Sequence, residues 1–176
     1  GGPYVFACGR HVYYKGLEHL VEASTQVSAK VVVGGEGPLT PALKLLARRL
    51  RANVEFTGVL AERALIDHLH ACSVFAFPSC ERSEAFGIAM LEAQACAKPV
   101  VATRLGTGVE YVNLDGQTGL NVAPRDAAAL AEALNRLLQN KAMAAEFGDA
   151  GRERVRREFD VRTVARRELE LYRSLL

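Results

Sequence analysis

The sequence has no long hydrophobic run and little excess of either charge, and each absence excludes a class of protein. Its longest apolar stretches, such as 71–78 and 99–102, are far short of the roughly 20 residues that a membrane-spanning helix needs. A formal charge of only +2 over 176 residues does not support strong nucleic-acid binding. The chain starts at Gly1 without a basic and then apolar leader, so we expect no signal peptide and a piece of a longer, cytoplasmic protein.

The sequence also lacks the cysteine spacing of a metal site. Its four cysteines, Cys8, Cys72, Cys80 and Cys96, form no Cys-x-x-Cys pair, and the four histidines are not spaced as ligands beside them. We therefore expect reduced, mostly buried thiols and no structural metal. What the sequence does have is an apolar fraction of 49%, which is enough for the packed core of one ordinary domain.

Short β-branched or aromatic runs alternate with helical patterns along the first 140 residues. The predicted strands cover 4–8, 30–34, 54–57, 74–78, 100–103 and 118–122, and the predicted helices cover 16–27, 39–50, 62–71, 87–95 and 126–139. Units of this length predict an α/β fold, a Rossmann-like doubly wound parallel sheet with helices on both faces. The strands are apolar nearly throughout, as is typical when both faces of a sheet are covered.

The last third of the chain is predicted to be helical throughout, ending in a helix over 161–176. Residues 151–176 hold eight arginines against five acids, a charge of +3, whereas the rest of the chain carries −1. Such a tail could contact phosphate or a membrane, but we expect a solvated face with ion pairs at helical spacing, for example Arg166 with Glu170. No low-complexity linker divides the chain, so we predict one domain over 1–176 that includes the helices of 126–176.

The candidate site lies in the loops after the strands, because ligands of open α/β sheets bind beside the carboxyl ends of the strands. After the first strand, Arg10 and Lys15 are placed to reach an anion beside a helix start; the alternative is a pair of solvated surface cations. After the second strand, residues 34–37 hold three glycines, which let a ligand approach the backbone closely. Neither a dinucleotide fingerprint nor a P-loop is present, which argues against a dehydrogenase.

Two carboxylates follow the fourth predicted strand. Glu84 precedes the helix over 87–95 and Glu92 lies about two turns into it, so both can face one cleft roughly 12 Å apart. Paired glycosidase carboxylates stand roughly 5–10 Å apart, so this spacing favours an extended ligand over hydrolysis at one centre. The apolar neighbours of Glu92 predict a mostly buried helix, in which a carboxylate needs a partner.

Several short motifs occur in a defined order along the chain. They are Arg10-x4-Lys15-Gly16, Gly35-Glu36-Gly37-Pro38, Phe56-Thr57-Gly58, Ser83-Glu84-Ala85-Phe86-Gly87 with Glu92-Ala93, Pro99-Val100-Val101-Ala102-Thr103, then Glu110, Gly116-x-Thr118-Gly119-Leu120 and Asp126. The set resembles the donor-binding, C-terminal domain of the retaining group 1 (family 4) glycosyltransferases, which have the GT-B fold. The resemblance covers nearly the whole chain, and it implies that an N-terminal domain, which holds the acceptor, lies outside it.

The resemblance implies a role for each matching residue. Arg10, Lys15 and Glu84 would be catalytic: the cations hold the diphosphate of a UDP-, GDP- or ADP-sugar as the sugar leaves, and Glu84 accepts hydrogen bonds from sugar hydroxyls. The donor-binding residues would be Gly9, Gly35, Val59, Phe86, Gly87, Ile88 and Glu92. Among these, Glu92 would bind the ribose, and the backbone near Val59 would read the base. Transfer would retain the anomeric configuration without a cofactor or metal, and no Asp-x-Asp pair is present to bind one.

Two alternatives keep the same fold: a module that binds nucleotide sugars without turnover, and a GT-B-type phosphorylase. The amino-acid sequences of 82–84 and 104–108 resemble those of bacterial surface-polysaccharide enzymes, some of which transfer mannose. Many relatives of this kind act on lipid-linked acceptors at the inner face of the membrane, usually through the other domain. The base, the sugar and the acceptor are not determined by this sequence.

The chain departs from the family pattern in three places. Ala97 stands where a glycine usually precedes the proline, and it would be strained if that position requires a left-handed turn. Gly106-Thr107-Gly108 stands where the family has paired glycines. Two roles for Glu110 therefore stay open: it contacts the donor, or its carboxylate stabilises the start of a helix. His11 stands where many members differ and is a further candidate for a position near the sugar.

Overall fold

Six strands form one parallel sheet in a computed structural model that describes residues 2–175. The strands are β1 Tyr4–Cys8, β2 Lys30–Gly34, β3 Val54–Gly58, β4 Val74–Phe77, β5 Val100–Thr103 and β6 Gly119–Val122. Their order across the sheet is β3-β2-β1-β4-β5-β6, and every neighbouring pair is parallel. All six predicted strands are confirmed, with three of their ends shifted by one residue.

Eight α-helices connect and follow the strands. They are α1 Leu17–Ala23, α2 Thr40–Leu50, α3 Glu62–Ala71, α4 Ile88–Ala95, α5 Gly108–Val112, α6 Ala127–Gln139, α7 Lys141–Arg154 and α8 Val161–Ser174, counted over residues 2–175. The first is shorter than the predicted 16–27. The hydroxyls of Ser24 and Thr25 donate to the carbonyls of Val21 and Glu22, at 2.7 and 2.8 Å, which favours a turn over a further helical turn.

Alternate residues of each strand face two separate apolar layers. Val5 and Ala7 pack in one layer with Leu20 of α1 and Leu134 of α6. Phe6 points to the opposite side of the sheet, into a second layer with residues of α3, α4 and α5 such as Leu69, Met90 and Val109. The sheet is therefore covered on both faces, and the predicted doubly wound α/β fold is confirmed.

The strand order changes direction between β1 and β4. The chain moves outward from β1 to β2 and β3, then returns to place β4 on the other side of β1. The helix that follows β1 packs in the first apolar layer, and the helix that follows β4 packs in the second. A crevice between such diverging connections is the usual ligand site of this architecture.

The tail is helical, as predicted, and α8 has no buried residue. Its ion pairs include Arg154 with Glu158 and Arg152 with Asp149, at 3.2 and 2.8 Å, whereas Arg166 with Glu170 is not among the ion pairs of the described residues. An exposed row of apolar side chains accompanies the arginines on α8: Val161, Val164, Leu169, Leu171, Tyr172 and Leu175. Within residues 2–175, no helix is both long and apolar enough to cross a membrane.

Ala97 adopts a left-handed backbone conformation, with a φ of +55°, so the condition under which we expected strain at this position is met. A residue with a Cβ costs roughly 1–2 kcal/mol there. Ala97→Gly is therefore expected to raise the free energy of unfolding by about 0.5–1 kcal/mol, after subtracting the extra entropy of glycine in the unfolded chain. Thermal unfolding should show a midpoint about 2 °C higher. Ala145→Gly, at an exposed position inside α7, should lower the midpoint instead; a fall in both variants would contradict the expectation.

Candidate functional site

A cleft of about 310 Å³ opens at the carboxyl ends of β1 and β2 and extends to α4. Six residues of the predicted site line it: Gly9, Arg10, Lys15, Gly35, Val59 and Glu92. A larger open groove of about 1040 Å³ runs along α6, but no residue at the carboxyl end of β1, β2 or β4 lines it. Because ligand sites of this fold lie at those strand ends, we assign the candidate site to the smaller cleft.

The rim of the cleft is bare backbone from the loops after β1 and β2. The N–H of Gly9 donates to the carbonyl of Gly34 at 3.1 Å, and the N–H of Gly35 donates to the carbonyl of Gly58 at 2.7 Å. Gly35 has a φ of +105°, and a Cβ there would collide with the carbonyl oxygen of Gly9. Only glycine fits this position, and a ligand can approach the rim closely for the same reason.

Lys15 and Glu84 form an ion pair across the crevice between β1 and β4. The Lys15 Nζ donates to Glu84 Oε2, and the two side chains are only 20% and 10% exposed. The ammonium also lies 5.2 Å from the centre of the Phe77 ring, at the end of β4. Lys15 and Glu84, which were both predicted as site residues, are therefore in direct contact, and each neutralises the charge of the other.

Ser79 and Thr107 hold Glu84 in place, and neither residue was predicted from the sequence. The hydroxyl of Ser79 donates to Glu84 Oε2 at 2.9 Å, and the hydroxyl of Thr107 donates to the Glu84 carbonyl at 2.9 Å. Ser79 is fully buried, and its own carbonyl accepts from the hydroxyl of Thr103. The position of Ser79, two residues after a buried strand at the ligand-binding edge, was a usable signal.

Arg10 has a different environment from Lys15. It lines the cleft and is exposed, and its guanidinium has no side-chain hydrogen bond or ion pair with any of the described residues. Arginine presents planar donors that suit two phosphate oxygens at once. The cleft therefore contains two cations: Lys15, which is paired with Glu84, and Arg10, whose charge has no partner among the described residues.

The start of α4 presents backbone donors. The N–H groups of Phe86, Gly87 and Ile88 have no hydrogen-bond acceptor among the described residues. Gly87 has a φ of +84°, and the side chain of Ile88 is turned out to solvent, with the residue 67% exposed. Free N–H groups at a helix N-terminus bind anions and sugar oxygens well.

Glu92 lies on the exposed side of α4, in the wall of the cleft. The prediction of a mostly buried helix is wrong for this position, because Ala93 and Gln94 carry the contacts with the core while Glu92 and Ala95 face solvent. Its carboxylate has no protein partner within residues 2–175 and needs none. The neighbouring protein still removes part of its hydration, which raises the pKa of Glu92.

Glu110 and His11 have structural contacts in the described chain. Glu110 Oε1 accepts from the N–H of Gly106 at 2.8 Å, and with Thr107 it forms a capping box at the start of α5. Burial alone would raise the pKa of Glu110, but these backbone donors lower it below the ordinary value. His11 is fully buried and does not line the cleft; its Nδ1 lies 2.8 Å from the hydroxyl oxygen of Thr40.

All four cysteines are free, as expected, and two of them, Cys72 and Cys80, are buried. Cys8 lies in the cleft, where burial and the nearby Glu92 raise the pKa of its thiol to about 12. Burial also raises the pKa of Cys72 to about 12. Thiols of this kind stay protonated at neutral pH and are poor nucleophiles.

The geometry defines an α/β domain with a cleft at the carboxyl ends of β1 and β2 that is lined by two cations, Arg10 and Lys15. Comparison with known proteins narrows this class: residues 2–140 match the family model for glycosyl transferases group 1, and the chain belongs to that family. It is similar to the O-antigen chain mannosyltransferase C of Escherichia coli, with 34% identity over 100% of this chain and 48% of the relative.

One further relative supports the family, and one solved structure shows the same fold. A GDP-mannose-dependent monoacylated alpha-(1-6)-phosphatidylinositol monomannoside mannosyltransferase of Corynebacterium glutamicum is 35% identical over 97% of this chain and 47% of the relative. The crystal structure of HepE from Anabaena in complex with UDP has the same fold, with a TM-score of 0.89 and 24% identity over 97% of this chain and 48% of that chain. The chain therefore spans about half the length of the curated relatives that it matches.

Proposed function

We propose that this chain is the donor-binding half of a glycosyltransferase that uses a nucleoside diphosphate sugar. The meeting of Arg10, Lys15 and Glu92 in one cleft, with Glu84 paired to Lys15, carries the proposal. Cations and free helix N–H groups suit the diphosphate, and carboxylates on either side suit the hydroxyls of a sugar and a ribose. The combination fits an extended anion with a polyol at each end.

The proposed reaction transfers a glycosyl group with retention. The acceptor hydroxyl attacks the anomeric carbon on the face from which the diphosphate departs, so a new carbon–oxygen bond forms there. The bond to the leaving phosphate oxygen breaks with its electron pair, and the proton of the acceptor passes to a phosphate oxygen. Arg10 and Lys15 stabilise the negative charge that builds on the diphosphate, which is work that a metal ion does in other transferases.

The ion pair of Lys15 with Glu84 orders the site before the donor binds. Glu84 keeps the ammonium at the crevice, so Lys15 needs little rearrangement to meet a phosphate oxygen. Ser79 keeps Glu84 from following the ammonium, because its hydroxyl bonds the same carboxylate oxygen. When the donor binds, Lys15 turns partly to the phosphate, and Glu84 turns partly to the sugar hydroxyls.

A guanosine diphosphate sugar, with mannose or a related hexose, is the preferred donor among UDP-, GDP- and ADP-sugars. The names of the two mannosyltransferase relatives support mannose, and one of them includes GDP-mannose. Val59 follows β3, lines the cleft and is 76% exposed, which supports the proposal that the backbone there reads the base. The product would be part of a bacterial polysaccharide or glycolipid.

The acceptor would bind to an N-terminal domain of the same parent protein. The exposed apolar row of α8 supports a protein partner, because Glu168 lies on the same helical face between Val164 and Leu171. A carboxylate in the middle of an apolar face disfavours burial in lipid and suits a protein surface that supplies a donor. We expect the parent enzyme to work in the cytoplasm, with any contact with the inner face of the membrane made through its other domain.

Titration of this chain with UDP, GDP and ADP by calorimetry, with and without magnesium, tests the proposal. We expect one nucleotide, GDP before the others, to bind with an affinity that magnesium does not change. Glu92→Ala should weaken binding by about 10-fold or more, because it removes a charged hydrogen-bond acceptor. Glu132→Ala, in the larger groove along α6, is the matched control. A folded chain that binds none of the three, or that responds only to Glu132→Ala, would overturn the proposal.

Nucleotide binding should also depend on pH through Glu92. A raised carboxyl pKa means that Glu92 takes up its proton at a higher pH than an ordinary glutamate does as the solution is acidified. Only the carboxylate accepts two ribose hydroxyls, so affinity should fall as the pH drops through this raised pKa. Glu92→Gln should bind more weakly at neutral pH and lose the part of the dependence that Glu92 causes, so that only the titration of the diphosphate itself remains. The same titration from pH 7.5 to 5 measures both, and an unchanged pH profile in Glu92→Gln would contradict the expectation.

A further inference from the structure

Three metal-ligating side chains meet outside the cleft: Glu18 and His19 on the first turn of α1, and Cys80 just after β4. One ligand atom from each lies within 4.8 Å of the other two. None of the three lines the donor cleft, and none has a role in the proposed transfer. Their sequence separation explains why spacing alone predicted no metal site.

Backbone contacts fix the meeting point. The N–H of Cys80 donates to the carbonyl of Tyr14 at 2.8 Å, and its thiol donates to the carbonyl of Tyr13 at 3.4 Å. Both acceptors belong to the short 3-10 turn Tyr13–Lys15, which leads directly into α1. Cys80 is only 6% exposed, whereas the side chains of His19 and Glu18 are 18% and 36% exposed. The cluster therefore has a buried thiol and a side open to solvent.

The carboxylate of Glu18 is not satisfied by the protein. Its Oε2 is buried and has no hydrogen-bond partner among the described residues. Its Oε1 lies 3.9 Å from His19 Nε2, beyond hydrogen-bond distance. A desolvated carboxylate oxygen without a partner is costly, and a bound cation would remove that cost.

His19 is already oriented as a ligand. Its Nδ1 lies 3.4 Å from Glu22 Oε2, one turn further along α1, while Nε2 faces Glu18. Metal-bound histidines commonly donate their second ring N–H to a carboxylate, which fixes the tautomer and raises the basicity of the coordinating nitrogen. The other nearby carboxylate, Glu81, is paired with Arg125 and does not compete for the ring.

We propose that Glu18, His19 and Cys80 bind a zinc ion, with a water molecule as the fourth ligand. Sulfur, imidazole nitrogen and carboxylate oxygen together suit zinc and exclude magnesium and calcium, which prefer oxygen alone. Tetrahedral zinc with bonds of about 2.0–2.3 Å places its ligand atoms roughly 3.3–3.8 Å apart, so the side chains must close by about 1 Å. On binding, a sulfur–zinc bond forms, the thiol proton of Cys80 leaves to solvent, and the weak hydrogen bond from the thiol to the Tyr13 carbonyl is lost, while the Cys80 N–H remains bonded to Tyr14.

The position of this ion gives it a mechanical role. It would join the first turn of α1, which follows Lys15, to the segment that leads from Ser79 to Glu84. The ion would then restrain the two chain segments that carry Lys15 and Glu84, in addition to the ion pair between those side chains. Zinc would stabilise the domain and take no part in the transfer step.

Cobalt(II) titration of the reduced, metal-free chain tests the site without any nucleotide or sugar. A cobalt–thiolate bond gives a near-ultraviolet charge-transfer band, and tetrahedral cobalt gives strong visible bands. We expect both bands to saturate at one equivalent and to disappear when zinc is added. Zinc at about 100 times its dissociation constant should raise the thermal midpoint by roughly 5 °C.

Two ligand variants and one matched control decide the outcome. Cys80→Ser should abolish the charge-transfer band, and His19→Gln should weaken zinc binding by about 10-fold or more; if Cys80→Ser does not fold, His19→Gln decides alone. Cys96→Ser removes a second close Cys–His pair, in which Sγ lies 3.8 Å from His70 Nε2, and should leave the cobalt bands and zinc binding unchanged. No thiolate band in the folded chain, or loss of the band only in Cys96→Ser, would overturn the proposal.

Discussion

Replacing Arg10 with alanine is expected to lower the rate of sugar transfer by the parent enzyme by about 100- to 1000-fold, with no change in the thermal midpoint of this domain. The loss follows from the proposed role of Arg10, in which its guanidinium is a preorganised donor that faces the charge on the leaving diphosphate. Folding is unaffected because the Arg10 side chain is exposed and has no protein partner among residues 2–175. Of the two cations in the cleft, Arg10 therefore gives the cleaner test of catalysis.

Arg10→Ala should weaken binding of the nucleotide in the ground state less than it destabilises the transition state of the transfer. Loss of a charge-assisted hydrogen bond of about 1.5–3 kcal/mol predicts roughly 10- to 100-fold weaker binding of the nucleoside diphosphate to this chain. The negative charge on the diphosphate is larger in the transition state, as the sugar leaves, than in the bound donor. The value of kcat/KM should therefore fall further than the affinity for the nucleoside diphosphate. Steady-state rates and calorimetric affinities, measured on the same variant, separate the two effects.

Arg49→Ala is the matched control, since Arg49 is exposed on α2 and remote from the cleft. It should leave rate, affinity and thermal midpoint unchanged. An Arg10→Ala enzyme with wild-type rate would remove Arg10 from the site. Equal losses of kcat/KM and of affinity, with kcat unchanged, would make Arg10 a binding residue that does not act on the transition state.

Most of the fold could be predicted from the sequence because its signals are local. The run from Val31 to Val33 is apolar on both faces, which is typical of a central parallel strand. The helix after β1 was predicted too long, because its stop is made by the Ser24 and Thr25 hydroxyls instead of a glycine or proline. The left-handed turn at Ala97 could be predicted only through the family pattern, since alanine itself gives no such signal.

The candidate site could be predicted as a set of residues, but its contacts could not. Parallel strands end at one edge of the sheet, so Arg10, Lys15 and Glu84 could be placed near each other from sequence. The pairing of Lys15 with Glu84 joins residues 69 positions apart and depends on β4 lying beside β1, which the chain order does not specify. The exposure of Glu92 depends on which face of α4 the rest of the domain covers, and tertiary packing determines that.

The second large effect is on stability, and it concerns the pair of Lys15 and Glu84. Lys15→Met leaves a nearly buried carboxylate with only the Ser79 hydroxyl as a partner, so we expect the free energy of unfolding to fall by about 2–4 kcal/mol. Glu84→Gln keeps a neutral acceptor for both donors but leaves the ammonium uncompensated, so its loss should be smaller, about 1–2 kcal/mol. Urea unfolding of this chain measures both.

The double variant separates the structural role of the pair from its chemical role. With both charges removed, Lys15→Met/Glu84→Gln should be more stable than the sum of the single losses predicts, by about 1–3 kcal/mol. The exposed pair of Arg63 and Asp67, replaced in the same way, should show almost no such coupling. We expect both single variants to lose sugar transfer by the parent enzyme, and the double variant should not recover it. A neutral pair stabilises the fold but does not stabilise a leaving diphosphate. Recovery of transfer together with stability would assign the pair to structure alone, and the absence of coupling would mean that the two charges act independently.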